Sequence, residues 1–252
     1  MQNEVNNPML PTSESAVPEV PEVPEIPAVL LNWTHQYRII PSKFPPIHFF
    51  EGLVTTDQME AAFYIESLTN DRLREEAGDI SRVQPMDRIS GKGSSIVMAA
   101  FTHIGKPSRF TNGNFGVYYA AKKLNTAIIE TVYWREKFLS YTNENPGSID
   151  MRVYVGKVLK SMQDIRAEKY QMLHHPEDYS HSQSFAAALR EQGSYGIVYN
   201  SVRDKGGECI AALRPTAISI PMQRDHLAYV WDGNNITKVY DQQSRLLFKI
   251  SK

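Results

Sequence analysis

Short runs of alternating or β-branched residues dominate this chain, and only three stretches carry a helical spacing. Trp33 to Ile40 reads as a strand that Pro41 stops. From about Thr56, the spacing of Ala61, Ala62, Phe63, Ile65 and Leu68 predicts a helix with one apolar face, and Asp57 is placed to cap it. Residues 70–95 are charged and then turn-like, ending in Gly91-Lys-Gly93-Ser-Ser. That run lacks the Gly-Lys-Ser/Thr ending of a phosphate loop and no apolar strand leads into it, so a plain loop is expected. Val117 to Ala121 predicts a strand, followed by a helix that Asn125 or Thr126 caps and that ends near Leu139.

Met151 to Leu159 alternates well enough for another strand, and residues 160–182 are polar. Ser182 to Gln192 predicts a helix closed by Gly193 at the usual C-terminal position. Strands are then expected at Ile197–Val202, Cys209–Leu213, Leu227–Trp231 and Ile236–Tyr240, with Asp232-Gly233 turning the last pair. Strands outnumber helices without alternating regularly with them. That favours an α+β fold over a doubly wound sheet.

Residues 1–28 stand outside this pattern. They contain six of the fifteen prolines and five glutamates, with no Lys or Arg. The repeat Pro18-Glu-Val-Pro-Glu-Val-Pro-Glu-Ile-Pro27 removes backbone donors and favours extended polyproline II, so a disordered acidic arm is expected before an ordered domain over 29–252. A segment of this kind can also serve as a ligand for a partner's groove. The whole chain has 27 basic and 28 acidic residues, and the part outside the arm is mildly positive at +4. Such a balance gives no nucleic-acid footprint and tolerates an anionic small molecule. A single cysteine, Cys209, excludes an intrachain disulfide and a multi-cysteine zinc cage. His174, His175 and His181 lie in the polar segment without accompanying carboxylate spacing, so no metal site is expected. With no basic leader and no run of about 20 apolar residues, the expectation is a soluble cytoplasmic protein without membrane contact.

Three segments carry residues with chemical potential. Arg109 precedes a loop broken by Gly113 and Gly116, where a guanidinium can grip a phosphate or carboxylate bidentately while the backbone comes close. An exposed arginine on a hairpin would look the same. Glu130 lies in the most apolar turn of its predicted helix, among Ala127, Ile128, Ile129 and Val132, with Tyr133 and Trp134 at helical spacing on its own side. A carboxylate there must find a partner or accept a raised pKa, which marks either a site or a structural ion pair. Ser201 ends a β-branched strand just before Gly206-Gly207, where a serine can orient a carboxylate, bind a sugar hydroxyl or simply cap the turn. No Gly-x-Ser-x-Gly surrounds it, so it is not a nucleophile elbow.

Taken together, Arg109, Tyr119, Glu130 and the distant Ser201 resemble the RES domain family, named for its Arg, Glu and Ser. Tyr37-Arg38 is similar to the family's opening strand, and Ser194-Tyr-Gly-Ile-Val-Tyr-Asn-Ser-Val-Arg203 resembles its serine-bearing strand. The likeness covers roughly residues 30–242, with a helical insertion at about 53–100; many members carry Gly-Arg-Trp-Asn where this chain has Ser108-Arg-Phe-Thr. It implies a single domain with a mixed, mainly antiparallel sheet flanked by helices, similar to the ADP-ribosyltransferases. It also implies the toxin of a bacterial toxin–antitoxin pair, which attacks NAD+ at the nicotinamide–ribose bond. NAD+ would be substrate, and no cofactor or metal is implied. Arg109 would hold the pyrophosphate, aided by Arg38, and Tyr119 would stack on nicotinamide. Glu130 would stabilise the positive ribose, with Ser201 holding Glu130 or a ribose hydroxyl. The implied partner is an antitoxin with a helix-turn-helix DNA-binding part and a toxin-binding domain, so this chain itself would touch no nucleic acid. Transfer of ADP-ribose to a protein through the same residues is the alternative, and a non-catalytic interaction protein is a second.

Overall fold

The computed structural model describes residues 26–42, 78–142 and 144–250. The helix expected from Thr56 lies outside them. The remaining elements build a ten-stranded sheet: β1 (Ala28–Val29), β2 (Gln36–Pro41), β3 (Tyr118–Ala121), β4 (Gly147–Gly156), β5 (Met162–Asp164), β6 (Gly196–Asn200), β7 (Glu208–Ala212), β8 (Met222–Trp231), β9 (Ile236–Asp241) and β10 (Leu246–Lys249). Their order across the sheet is β1-β5-β6-β7-β3-β2-β4-β8-β9-β10. Every pairing is antiparallel except β5 with β6. This is the α+β architecture with a mixed, mainly antiparallel sheet that the sequence predicts.

Helices lie against both faces. On one face, α2 (Leu124–Leu139) buries Ala127, Ile128, Val132 and Leu139, and α3 (Ser180–Glu191) buries Ala186 and Leu189. They meet alternate strand residues such as Ile39, Ala121, Val153, Ile197 and Ala211. The other face carries α1 (Ser95–Thr102), whose Val97, Met98 and Phe101 pack with Tyr118, Ala120, Val198 and Ile210. The Gly91–Gly93 turn runs directly into α1. Neither Asn125 nor Thr126 caps α2, which starts earlier, at Leu124. The Thr126 hydroxyl instead donates to Asp204 Oδ2 at 2.6 Å, a tertiary bond that displaces the capping one. Ile26 is buried in the core and the Pro27 carbonyl accepts from Asp164 N–H at 2.9 Å, so the last three residues of the expected acidic arm, 26–28, belong to the folded body. Among the described residues, no helix is long and apolar enough to cross a membrane.

β2 and β3 share a single register pair, Tyr37 with Ala121. The pairings on either side remain full, four register pairs for β3–β7 and six for β2–β4. A cavity opens on the α2 face beside β2, β3, β6 and β7, and Tyr37, Ala121, Tyr199 and Cys209 contribute to its wall. α2 forms the opposite wall.

Candidate active site

The cavity measures about 510 Å³ and gathers residues more than 90 positions apart in sequence. Arg38, Arg109, Tyr119 and Glu130 all line it, together with Trp134, Arg135, Tyr179, Tyr199 and Arg203. Ser201 sits directly behind Glu130.

Arg109 is presented by a tight turn closed by Ser108 N–H to Thr111 O at 2.8 Å. Phe110 anchors that turn by complete burial, and α3 grips it from below. Ser182 Oγ donates to the Arg109 carbonyl at 2.6 Å, and Gln183 Nε2 donates to Ser108 O at 2.9 Å and Thr111 O at 3.2 Å. The buried Arg109 guanidinium lies 4.7 Å from the centre of the Tyr179 ring, and its Nη1 donates to the His175 carbonyl at 2.8 Å. One face is therefore stacked, and the planar fork is fixed in orientation before any ligand arrives.

The glycines beside it serve a different purpose from the one the sequence suggests. A Cβ on Gly116 would fall 2.2 Å from Ala100 O, and Gly113 (φ +103°) crosses close to Gly105. Both permit backbone-to-backbone packing within the protein, so their absent side chains are explained without a ligand.

Tyr119 points its hydroxyl back into the same turn. The hydroxyl accepts from Phe110 N–H at 3.0 Å and lies 2.8 Å from Ser108 Oγ. Burial pushes its pKa up to about 12, against the opposing pull of those hydrogen bonds and of Arg109. It is a neutral, fixed aromatic wall. Arg38 behaves differently. Strand alternation puts it on the Tyr118 side of the sheet, where its guanidinium lies 4.5 Å from that ring. Its Nη1 donates to the Tyr119 carbonyl at 3.0 Å, which bridges the place where β2 and β3 part. Arg38 thus reaches the cavity wall as a brace, while Arg109 and Arg203 are the arginines that act on Glu130.

Glu130 projects from α2, half-buried, and accepts a 2.5 Å hydrogen bond on Oε1 from Ser201 Oγ. Burial drives its pKa above the ordinary carboxylate value; the Ser201 bond and the charges of Arg109 and Arg203 pull it back, and Asp204 pushes it further up. The arrangement holds a carboxylate ready to ionise against a cation, with no ion pair to it among the described residues. Ser201 follows β6 at the start of a turn closed by Ser201 N–H to Gly207 O at 2.8 Å.

The sequence reading assigns no role to Arg203, Tyr179 or Glu177. Arg203 lies two residues after the serine, inside a segment whose likeness is visible, and that spacing is the available signal. Its guanidinium packs 3.6 Å over the Tyr133 ring. Of the three histidines, His174 is buried, with Nδ1 at 3.1 Å from Tyr170 O and Nε2 accepting from Asn200 N–H at 3.2 Å. His175 Nδ1 accepts from the backbone of Glu177 and Asp178.

The RES domain family model matches residues 85–232. A relative from Sinorhizobium fredii (strain NBRC 101917 / NGR234), "Uncharacterized protein y4oC", is 32% identical over 206 residues, which is 81% of this chain and 86% of the relative. A chain of the M. tuberculosis MbcT-MbcA toxin-antitoxin complex is similar at a TM-score of 0.36 and 12% identity, over 50% of this chain and 72% of that one. The family match covers more than half of this sequence, and on that match this chain belongs to the RES domain family.

Proposed function

We propose that this protein is the toxin of a type II toxin–antitoxin pair, and that it hydrolyses NAD+ at the nicotinamide–ribose bond. The observation that carries this reading is the half-buried, serine-held Glu130 carboxylate facing the cavity beside the fixed Arg109 fork. Family membership supports the toxin assignment, and with it a cognate antitoxin as partner. NAD+ enters as substrate, and the reaction described needs no cofactor.

The chemistry follows from charge. As the bond from ribose C1′ to the nicotinamide nitrogen breaks, its electron pair leaves with nicotinamide, which becomes neutral. The ribose becomes oxocarbenium-like and is captured by water, whose proton is released to solvent. An ionised Glu130 stabilises the positive ribose. Arg109, still held through Nη1 by the His175 carbonyl, offers its remaining N–H groups as a bidentate grip for the pyrophosphate. Tyr119 contributes a flat wall for the planar pyridinium ring, with a cation–π attraction of about 0.5–2 kcal/mol.

The test is nicotinamide release from NAD+ by purified protein with no protein acceptor added. Release that collapses in Glu130→Gln supports the reading. NAD+ that stays intact overturns it, and labelling of an added protein by ADP-ribose would then establish transfer in place of hydrolysis.

A further inference from the structure

Beyond the residues assigned above, one side chain outside the cavity binds together the three elements that build the site. Glu177 sits in the segment between the 3-10 turn Glu168–His174 and α3, and its side chain is more than half exposed. Its carboxylate accepts from the Tyr133 hydroxyl at 2.7 and 2.9 Å, from Arg203 Nη2 at 2.9 Å and from Lys137 Nζ at 3.3 Å. Tyr133 and Lys137 stand on α2, one and two turns after Glu130. Arg203 stands in the turn that carries Ser201, and the same Nη2 also donates to the Pro176 carbonyl. One residue further back, the His175 carbonyl takes the hydrogen bond from Arg109. The helix of the carboxylate, the turn of the serine and the segment that orients the arginine therefore meet at one carboxylate.

We infer that Glu177, acting through Arg203 and Tyr133, is a positioning residue for the Glu130–Ser201–Arg109 site. The inference rests on the hydrolase reading above but concerns a residue that does not itself line the cavity and reaches it only through Arg203 and Lys137. Hydrogen bonds, the one from Tyr133 first, hold the Glu177 carboxyl down to about 2, so the knot stays charged through the whole working range. An exposed ion pair of this kind contributes little to folding. Its value here is geometric, because a small displacement of reacting groups can cost about 100-fold in rate.

The experiment measures nicotinamide release by the wild type and by Glu177→Gln, Tyr133→Phe and Arg203→Lys, together with melting temperatures and the pH dependence of kcat/KM. Arg245→Gln, which removes an exposed ion pair with Asp241 far from the cavity, is the control. Glu177→Gln should lose about 10–100-fold in kcat with a change in melting temperature no larger than the control's. Tyr133→Phe should lose less in the same direction, and Arg203→Lys should keep the ion pair but lose the stacked fork. The pH dependence separates positioning from generic loosening. Glu130 faces Ser201, Arg109, Arg203 and Asp204, and it also acts on Tyr199 and Cys209 from β6 and β7. Releasing Arg203 weakens one of the two cations that favour the carboxylate, so the acid limb in Glu177→Gln should move to higher pH. Unchanged kcat and an unmoved acid limb, in variants of an active wild type, overturn the positioning role alone. An inactive wild type would overturn the hydrolase reading first.

Discussion

Replacing Glu130 by Gln separates the site's chemistry from its stability, and the two effects should run in opposite directions. Gln keeps the shape and the acceptor, so Ser201 Oγ still has an oxygen to which it can donate over the present 2.5 Å. What disappears is the charge. Loss of one preorganised electrostatic interaction of this type costs on the order of 10²–10³ in rate, about 2.7–4 kcal/mol. Stability follows a different rule. The folded-state pKa of Glu130 is raised above 4.5, mainly by burial, so the folded protein binds this proton more readily than the unfolded chain does. The group's contribution to stability is therefore greatest in acid and declines as pH rises through 4.5 toward the folded-state value. Gln carries no such pH-dependent loss. At neutral pH the variant should melt at the same temperature as the wild type or higher, while nicotinamide release falls by the stated factor. In the wild type, kcat/KM should rise with pH along an acid limb whose midpoint lies above 4.5. A variant that turns over within threefold of wild type, or an acid limb at or below the ordinary carboxylate value, would refute the role given to this carboxylate.

Two further outcomes test the neighbouring groups. Arg109→Lys loses the planar fork and its stack on Tyr179, so NAD+ should bind about 10–100-fold more weakly, from loss of one charge-assisted hydrogen bond at about 1.5–3 kcal/mol; calorimetric titration with the slow Glu130→Gln background checks it. His174 is held neutral because burial lowers its pKa below 6.5 and Asn200 N–H donates to its Nε2. The unfolded chain accepts a proton near 6.5 and the folded protein resists it, so stability should be full above 6.5 and decline as pH falls toward the folded-state value. His174→Gln should flatten melting temperature against pH in that window, once the opposite contribution of Glu130 is removed by using the same background.

How much of this was legible depends on how local each determinant is. Strands β3, β6 and β9 announce themselves by their β-branched and aromatic residues, and α2 and α3 because their apolar residues recur at helical spacing. β1 and β5, two and three residues long, are set by their pairing with neighbours and leave no periodicity. β10 is a largely exposed strand at the end of the sheet, so no buried face marks it. The site divides in the same way. Arg109, Glu130 and Ser201 stand out by residue type in a recognisable order. Glu177 is an ordinary acidic residue in a polar stretch, and its partners Arg203 and Tyr133 are 26 and 44 positions away. Arg38 was legible as a residue but not as a brace, because only the parting of β2 from β3 gives its guanidinium the Tyr119 carbonyl.

The direction of the Ser201 hydrogen bond follows from counting. Its hydroxyl oxygen accepts from Arg203 N–H at 3.2 Å and from Asp204 N–H at 2.9 Å, which occupies both lone pairs. The one proton it carries is then left for Glu130 Oε1, so the serine is a committed donor to the carboxylate. A committed donor favours the ionised form, and removing it leaves burial less opposed. Ser201→Ala should therefore move the acid limb of kcat/KM to higher pH, and it should also cost about 1–3 kcal/mol of stability because two backbone N–H groups lose their acceptor. Ser201→Thr keeps the hydroxyl and should restore the position of the limb even where its methyl group lowers kcat. If alanine and threonine give the same acid limb as serine, the hydroxyl is only a cap for its own turn, and the tuning of Glu130 must come from Arg109 and Arg203 alone.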